Sequence, residues 1–274
     1  MTLQTIDSVR AFWDQSPCFV RRSAAPKDSK QFMDETEARK FKSEPHIPGF
    51  AEYGKWTGKK VLEIGCGIGI DSVNFARADA WVCSLDLSAA SLQLARKRAE
   101  LAKVYKPVFI HGDAEKLDET SVWGCDFDLV YAFGSIHHSP NPEKILHNIR
   151  FVTHPGSILK LMVYNKYSWK SLWILLKYGH GRFWKFGELI AKYSEAQTGC
   201  PITHVYSRKE LRAMLERNGF KVQKISVDHI FPYDIEAYKR HEYKVVWYFR
   251  WIPKSWFRAF ERVAGWHLLC EATV

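Results

Sequence analysis

From residue 59 onward, short apolar runs alternate with longer amphipathic stretches. Val61, Leu62 and Ile64 form a run of the length a buried parallel strand needs, and glycines at 65, 67 and 69 follow at once. Asp71 then opens a stretch with helical spacing, in which Val73, Phe75 and Ala76 recur. Continued along the chain, the pattern predicts strand 59–64, helix 70–79, strand 81–86, helix 88–102 behind an N-cap at Ser88, and strand 107–111. Strand 127–132, helix 142–152 and strand 157–164 complete the series. Strands alternating with helices at this interval make βαβ units, and hence a doubly wound α/β fold with a mostly parallel sheet covered on both faces.

The flanks have a different rhythm. Ile6, Val9, Phe12 and Trp13 space a short helix over 5–17; residues 18–30 are polar and read as a loop. Residues 32–50 mix charge with Phe32, Phe41, Ile47 and Phe50 and are punctuated by Pro45 and Pro48, so 1–55 reads as an N-terminal extension or lid packing over the glycine turn. The cofactor-binding core spans 56–164. An aromatic and basic insertion, 165–206, follows as a substrate cap with a polar loop at 195–204. Ser207 caps a helix that Asn218-Gly219 stops, strand 220–227 completes the core within 207–230, 231–265 forms a second helical insertion, and 266–274 is a last, seventh strand.

A chain of 274 residues buries roughly three quarters of its unfolded surface and needs no disulfide or metal staple. Charge is lopsided: residues 1–150 hold 20 Lys and Arg against 20 Asp and Glu, whereas 151–274 hold 20 against 10 and account for the whole net +10. Seven of the 11 Trp (169, 173, 184, 247, 251, 256 and 266) lie in that second part. A basic, Trp-rich region suits an anionic or apolar partner, whether substrate, membrane surface or nucleic acid; the competing reading is a solvated basic face over an aromatic core. The six Cys form no C-x-x-C pair and no cluster at zinc spacing, so no metal is expected and a reducing, cytoplasmic setting fits. The N-terminus lacks the basic-then-apolar pattern of a signal peptide, and no apolar run is long enough to span a bilayer.

A glycine turn alone says little about chemistry, but three further features stand at the ends of successive strands. Asp86 ends the second strand 21 residues after Gly65, where a carboxylate can accept from both hydroxyls of a ribose. Asp113 follows the third strand, placed to accept from an exocyclic amine. The loop Phe133–His138 follows the fourth. In open α/β sheets, ligands bind at the carboxyl ends of the strands near the topological switch point, where all four elements converge. A nicotinamide-binding turn places a third glycine where this chain has Ile70, and it does not need the acid after the third strand.

The pattern Glu63-x-Gly-x-Gly-x-Gly69, with Asp86, Gly112-Asp113-Ala114 and Phe127-Asp-Leu-Val130, resembles the class I S-adenosylmethionine-dependent methyltransferases, nearest to the small-molecule branch that includes the ubiquinone-biosynthesis type. The likeness covers about 58–164 strongly and 207–228 with the last strand more loosely. It implies a Rossmann-like sheet and S-adenosyl-L-methionine as cofactor. It also implies that Gly65, Gly67 and Gly69 let the backbone approach the methionine part, and that Glu63 anchors the turn and, through water, the amino group. Asp86 would hold the ribose with Leu87 against the adenine, Asp113 the adenine amine with Ala114 at its ring edge, and Phe133 and Gly134 would pass the sulfonium. Asp71 either contacts the cofactor or, the preferred reading, is a charge favoured at a helix N-terminus, and Asp128 reads as a solvated or capping residue.

Methyl transfer asks the protein to hold the nucleophile in line and desolvated, and to take a proton when the nucleophile is protonated. His137 and His138 are the first candidates for that base, Tyr164, His204 and Tyr206 the weaker ones; each also has a purely structural reading. The acceptor is a small molecule reacting at O, N, S or C, with small thiols and anionic acids included. A membrane lipid or quinone acceptor, with peripheral membrane contact through 245–262, is the second hypothesis, and a basic binding module without turnover the third. Where base and glutamine methylases of this family have Asn-Pro-Pro-Tyr, this chain has Ala132-Phe-Gly-Ser135, which makes nucleic acid an unfavoured partner. The oligomeric state is left open.

Overall fold

The computed structural model describes residues 5–20, 23–194, 200–240 and 242–274. Helices α1 (Ile6–Gln15), α2 (Lys30–Ser43) and α3 (Ile47–Ala51) precede the sheet. Strand β1 (Lys60–Ile64), helix α4 (Ile70–Arg77), β2 (Trp81–Asp86), α5 (Ala89–Leu101), β3 (Val108–His111), β4 (Phe127–Phe133), α6 (Pro142–Ile149) and β5 (Thr153–Asn165) follow. Then come α7 (Trp169–Tyr178), α8 (Phe186–Tyr193), β6 (Val205–Tyr206), α9 (Arg208–Arg217) and β7 (Lys221–Asp228). The chain closes with α10 (Ile235–Lys239), α11 (Trp247–Arg250), α12 (Lys254–Ala264) and β8 (His267–Thr273).

The sheet runs β3-β2-β1-β4-β5-β8-β7, parallel except for β8, which lies antiparallel between β5 and β7. Chain order reverses between β1 and β4, so the carboxyl ends of those two strands flank the crevice. Both faces are buried because the apolar runs are continuous: Leu62, Val130 and Leu161 pack on α6 and α9, and Val61, Leu129 and Tyr131 pack with Phe75 of α4.

The seven expected strands are present, and two-residue β6 adds an eighth against the end of β5. Strand β5 starts earlier than the pattern predicts, and the helix expected over 142–152 gives way after Ile149 to a 3-10 turn. Helix α2 occupies a stretch to which the hydrophobic pattern assigned no element, capped by the Ser29 hydroxyl, which accepts from Phe32 N at 3.1 Å. Residues 195–199 of the expected polar loop and residues 1–4 lie outside the described residues. Among the described residues no helix is long and apolar enough to cross a membrane, and no group of three or more His, Cys, Asp or Glu could hold a metal ion.

Candidate active site

A cavity of about 250 Å³ opens at the carboxyl ends of β1, β2, β3 and β4. The turn after β1 forms its floor. Gly65 has φ +76°, and a Cβ there would sit 2.2 Å from Ser135 Cβ; Gly69 has φ +74°, and a Cβ there would meet Ala95 Cβ at 2.8 Å. Both positions exclude any side chain by backbone angle and by contact. Nothing lies within 4 Å of a Cβ built on Gly67, the middle glycine, which lines the cavity.

Asp86, at the end of β2, is buried and held from two sides: Oδ2 accepts from Gly67 N at 2.7 Å and Oδ1 from Ser88 N at 2.8 Å. Burial raises its pKa above the ordinary carboxylate value, and these two N–H groups oppose that. A carboxylate offers about four acceptor sites, so Asp86 keeps capacity for two further donors in an orientation already fixed. Asp113, half-buried after β3, accepts from Glu115 N at 2.8 Å, and its pKa is also raised by burial. Leu87, Ala114, Phe133 and Gly134 line the same cavity.

Glu63 lies beneath the turn, fully buried, and accepts from the Ser72 hydroxyl. Asp71 stands in the first turn of α4, where a negative charge is favoured, and it is buried at the cavity's edge. Its Oδ2 accepts from Lys40 Nζ at 2.7 Å and its Oδ1 from the partly buried Tyr53 hydroxyl at 2.6 Å, and Lys40 and Asp71 both lie inside. Burial acts against the Lys40 charge, but Asp71, Glu44 and Glu63 more than offset it and hold the ammonium above its usual pKa. Asp128 does sit at the far end of the sheet, accepting from Lys60 N at 2.8 Å and Lys59 Nζ at 3.2 Å.

Of the five residues proposed for acceptor chemistry, the structure brings two to the cavity. His138 and Tyr164 line it; His137, His204 and Tyr206 do not. His138 Nδ1 lies 2.8 Å from the Ile202 carbonyl, so Nδ1 carries a proton and Nε2 is the nitrogen left for an acceptor molecule. His137 is fully buried behind it, its ring 4.0 Å from Tyr164, with both ring nitrogens lacking a hydrogen bond among the described residues and a pKa driven well down, first by burial. Tyr206 packs half-buried against the core beside α9, its phenol pKa raised mainly by burial. His204 is tied to the loop after β4, its N donating to His137 O at 2.8 Å and its ring lying 3.1 Å from Ser139 O.

Three cavity-lining residues, Trp13, Lys40 and His267, had no signal in the sequence as a site. Trp13 of α1 lines the cavity edge-on to His138, 5.4 Å between ring centres, and its neighbour Asp14 accepts from Ser88 Oγ at 2.8 Å and Ala90 N at 3.2 Å. Lys40 was one cation among many on a charged stretch. His267, on β8 and opposite Tyr164 in the sheet register, lines the cavity, with Nδ1 3.0 Å from His46 Nε2. His46 Nδ1 in turn lies 4.0 Å from Asp228, and burial brings the His46 pKa down to about 4. Only the alternation of β8 could have hinted that His267 points inward.

The family model described as "Methyltransferase domain" matches residues 56–219, from the helix turn before β1 to the end of α9. The chain belongs to the methyltransferase-domain family. Relatives of this family member include the ubiquinone biosynthesis O-methyltransferase of Actinobacillus pleuropneumoniae, 32% identical over 112 residues that make up 40% of this chain and 47% of that protein. The mitochondrial protein of the same name from Schizosaccharomyces pombe is 33% identical over 114 residues, 41% of this chain and 40% of that one. The matches thus span about half the length of these relatives or less. Magnesium protoporphyrin IX methyltransferase from Synechocystis PCC 6803, solved with bound SAH, superposes over 97% of both chains with a TM-score of 0.60 at 17% identity. The [4+2]-cyclase SpnF superposes over 98% of this chain and 96% of its own, with a TM-score of 0.59 at 14% identity. Those likenesses establish the class I methyltransferase fold, and the cyclase shows that the fold hosts other reactions.

Proposed function

We propose that this family member is an S-adenosylmethionine-dependent methyltransferase that alkylates an ionisable oxygen of a small, largely apolar acceptor. The observation that carries the reading is Asp86, a carboxylate buried at the mouth of β2 and pre-aimed by the N–H groups of Gly67 and Ser88, with Asp113 on the next strand. That pair of acceptors fits the hydroxyls of a ribose and an adenine amine, and the open space over Gly67 leaves room for a chain to lie along the turn. When bound, S-adenosylmethionine supplies a methyl group made electrophilic by positive sulfur.

The remaining tasks fall to this chain's own residues. Phe133, Met162 and Tyr164 give the cavity an apolar wall that excludes water and strengthens every charge interaction within it. His138, held in one tautomer by the Ile202 carbonyl, presents the Nε2 lone pair that takes the acceptor's proton; His267 is a second imidazole on the same cavity. Helix α1 closes the cavity with Trp13 and acts as a lid. The O-methyltransferase relatives support oxygen as the acceptor atom.

The test is titration calorimetry with SAH, S-adenosylmethionine and NAD, followed by a screen of phenols, carboxylic acids and thiols with labelled cofactor. Binding of the sulfur cofactors alone is expected, and Asp86→Ala should weaken SAH by about 1.5–3 kcal/mol, the worth of a charge-assisted hydrogen bond. Binding of NAD alone, or unchanged SAH affinity in the variant, would remove the site from the role given to it. Turnover confined to thiols would keep the cofactor and replace the acceptor.

A further inference from the structure

The helices that follow β5 and β7 carry an outer surface the proposed reaction leaves unused. On α12, Trp256 and Val263 stand two turns apart, 72% and 75% exposed, with exposed Ala259 between them, so one face of the helix turns apolar side chains to solvent. Trp247 and Trp251, on and just after α11, are 79% and 84% exposed, and Leu176 and Trp184, near the α7–α8 corner, are about as bare at 71% and 70%.

These helices form one layer. The Trp169 ring of α7 lies 6.1 Å from Tyr248 and 6.0 Å from both Phe249 and Phe260. The inner side of the layer is ordinary core, where Ile174 and Ile190 pack with Met162 and Tyr164 of the cavity wall. The layer as a whole is basic: residues 165–194 and 247–264 hold 10 Lys and Arg against two Glu, of which Glu261 is buried and bonded to Arg258 at 2.7 Å; of the cations, Lys170 turns inward over the Trp266 ring and Lys166 pairs with Glu210. Large apolar side chains left this bare on one layer of helices are the feature that marks a contact site.

We propose that this layer docks on the surface of an anionic lipid bilayer. A second copy of the chain is the wrong occupant, since a two-fold contact would set the same cations against each other. Single-stranded nucleic acid would use the indoles for stacking but offers nothing to Leu176 or Val263. At the boundary between headgroups and acyl chains all three classes of side chain are matched: Trp sits at the interface, aliphatic groups sink below it, and Lys and Arg extend to anionic headgroups. The inference stands apart from the proposed reaction, because it uses no cavity residue. With the cavity wall on the other side of the same layer, docking would bring the site close to lipophilic molecules.

The test is sedimentation of the full chain with phosphatidylcholine vesicles, with and without phosphatidylglycerol, at low and high salt. The expected result is binding to the anionic vesicles, weakened by salt, with a blue shift of Trp emission and little binding to neutral vesicles. Trp251→Ser with Trp256→Ser should cut vesicle binding by roughly tenfold or more, because two large apolar groups leave the interface. Arg250→Glu with Arg262→Glu should cut it through charge alone, and both double variants should keep the parent's SAH affinity. No sedimentation with anionic vesicles at low salt overturns the proposal, as does parent-like binding in both variants. So does a dimer, or a complex with single-stranded RNA tighter than that with lipid, that the same substitutions abolish.

Discussion

Burial lifts the Glu63 carboxyl to about 8 from an ordinary 4.5, with the Asp71 charge as the next contribution. The folded chain therefore holds a proton that the unfolded chain releases once pH passes the ordinary value. Between about 4.5 and about 8 the group makes stability fall as pH rises. Glu63→Gln keeps the shape and an acceptor for Ser72 while removing the titration. Thermal unfolding across that window should show a shallower pH slope in the variant than in the parent, with the variant the more stable at the alkaline end; parallel curves would mean Glu63 does not titrate there. Positions like this were legible because a parallel sheet presents its strand ends to ligands, so Glu63, Asp86 and Asp113 could be placed by counting. Charge state was not legible, since it depends on neighbours from elsewhere in the chain. The Lys40–Asp71 pair spans 31 residues and His46–His267 spans 221, and no local spacing announces either.

Elements were legible where burial follows apolar periodicity and illegible where it does not. Strand β2 matches the apolar run at both ends, whereas α2 was passed over although its buried residues Phe32, Met33, Thr36, Lys40 and Ser43 recur at helical spacing. Three of those five are polar, satisfied by partners that only the folded chain supplies: Lys40 by Asp71, Thr36 and Ser43 by backbone carbonyls. Helix α1 was legible as a helix, but not its mooring, in which the Asp14 carboxylate accepts from the cap of α5 beside Asp86. Asp14→Ala should free the lid without touching the cofactor's own contacts. Dissociation of SAH, followed by stopped-flow fluorescence, should speed up by roughly tenfold or more, the equivalent of about 1.5–3 kcal/mol for a lost hydrogen bond to a charge, with the association rate little changed. An unaltered dissociation rate would show that α1 does not gate the cavity.

At the scale of the whole molecule, the question is whether the N-terminal extension folds as part of the sheet domain or merely lies on it. Arg98 of α5 bears on this directly. It is 2% exposed, and its guanidinium donates to Ile68 O at 2.9 Å behind the glycine turn, and to Met33 O at 2.9 Å and Thr36 Oγ1 at 2.7 Å on α2. Glu37 of α2 lies 3.4 Å away, and burial brings the Arg98 pKa down to about 10, which leaves the group charged. One buried cation thus ties the extension, the turn and the second crossover helix together. Arg98→Met keeps the bulk but removes the donor that Ile68 O, Met33 O and Thr36 Oγ1 share, at a cost of about 3 kcal/mol. Arg77, which pairs with the same Glu37 at 2.9 Å but is 44% exposed, is the control: Arg77→Met should cost under about 1 kcal/mol because solvent screens that pair. Urea unfolding read by intrinsic fluorescence should give one transition for the parent and for Arg77→Met. For Arg98→Met an early transition should split off as the extension detaches, and SAH binding should be lost with it, because Lys40 and Trp13 leave the cavity together. A single transition at unchanged midpoint in Arg98→Met would mean that the extension is held by its apolar contacts alone, and that cofactor binding and the fold of the first 55 residues are separable.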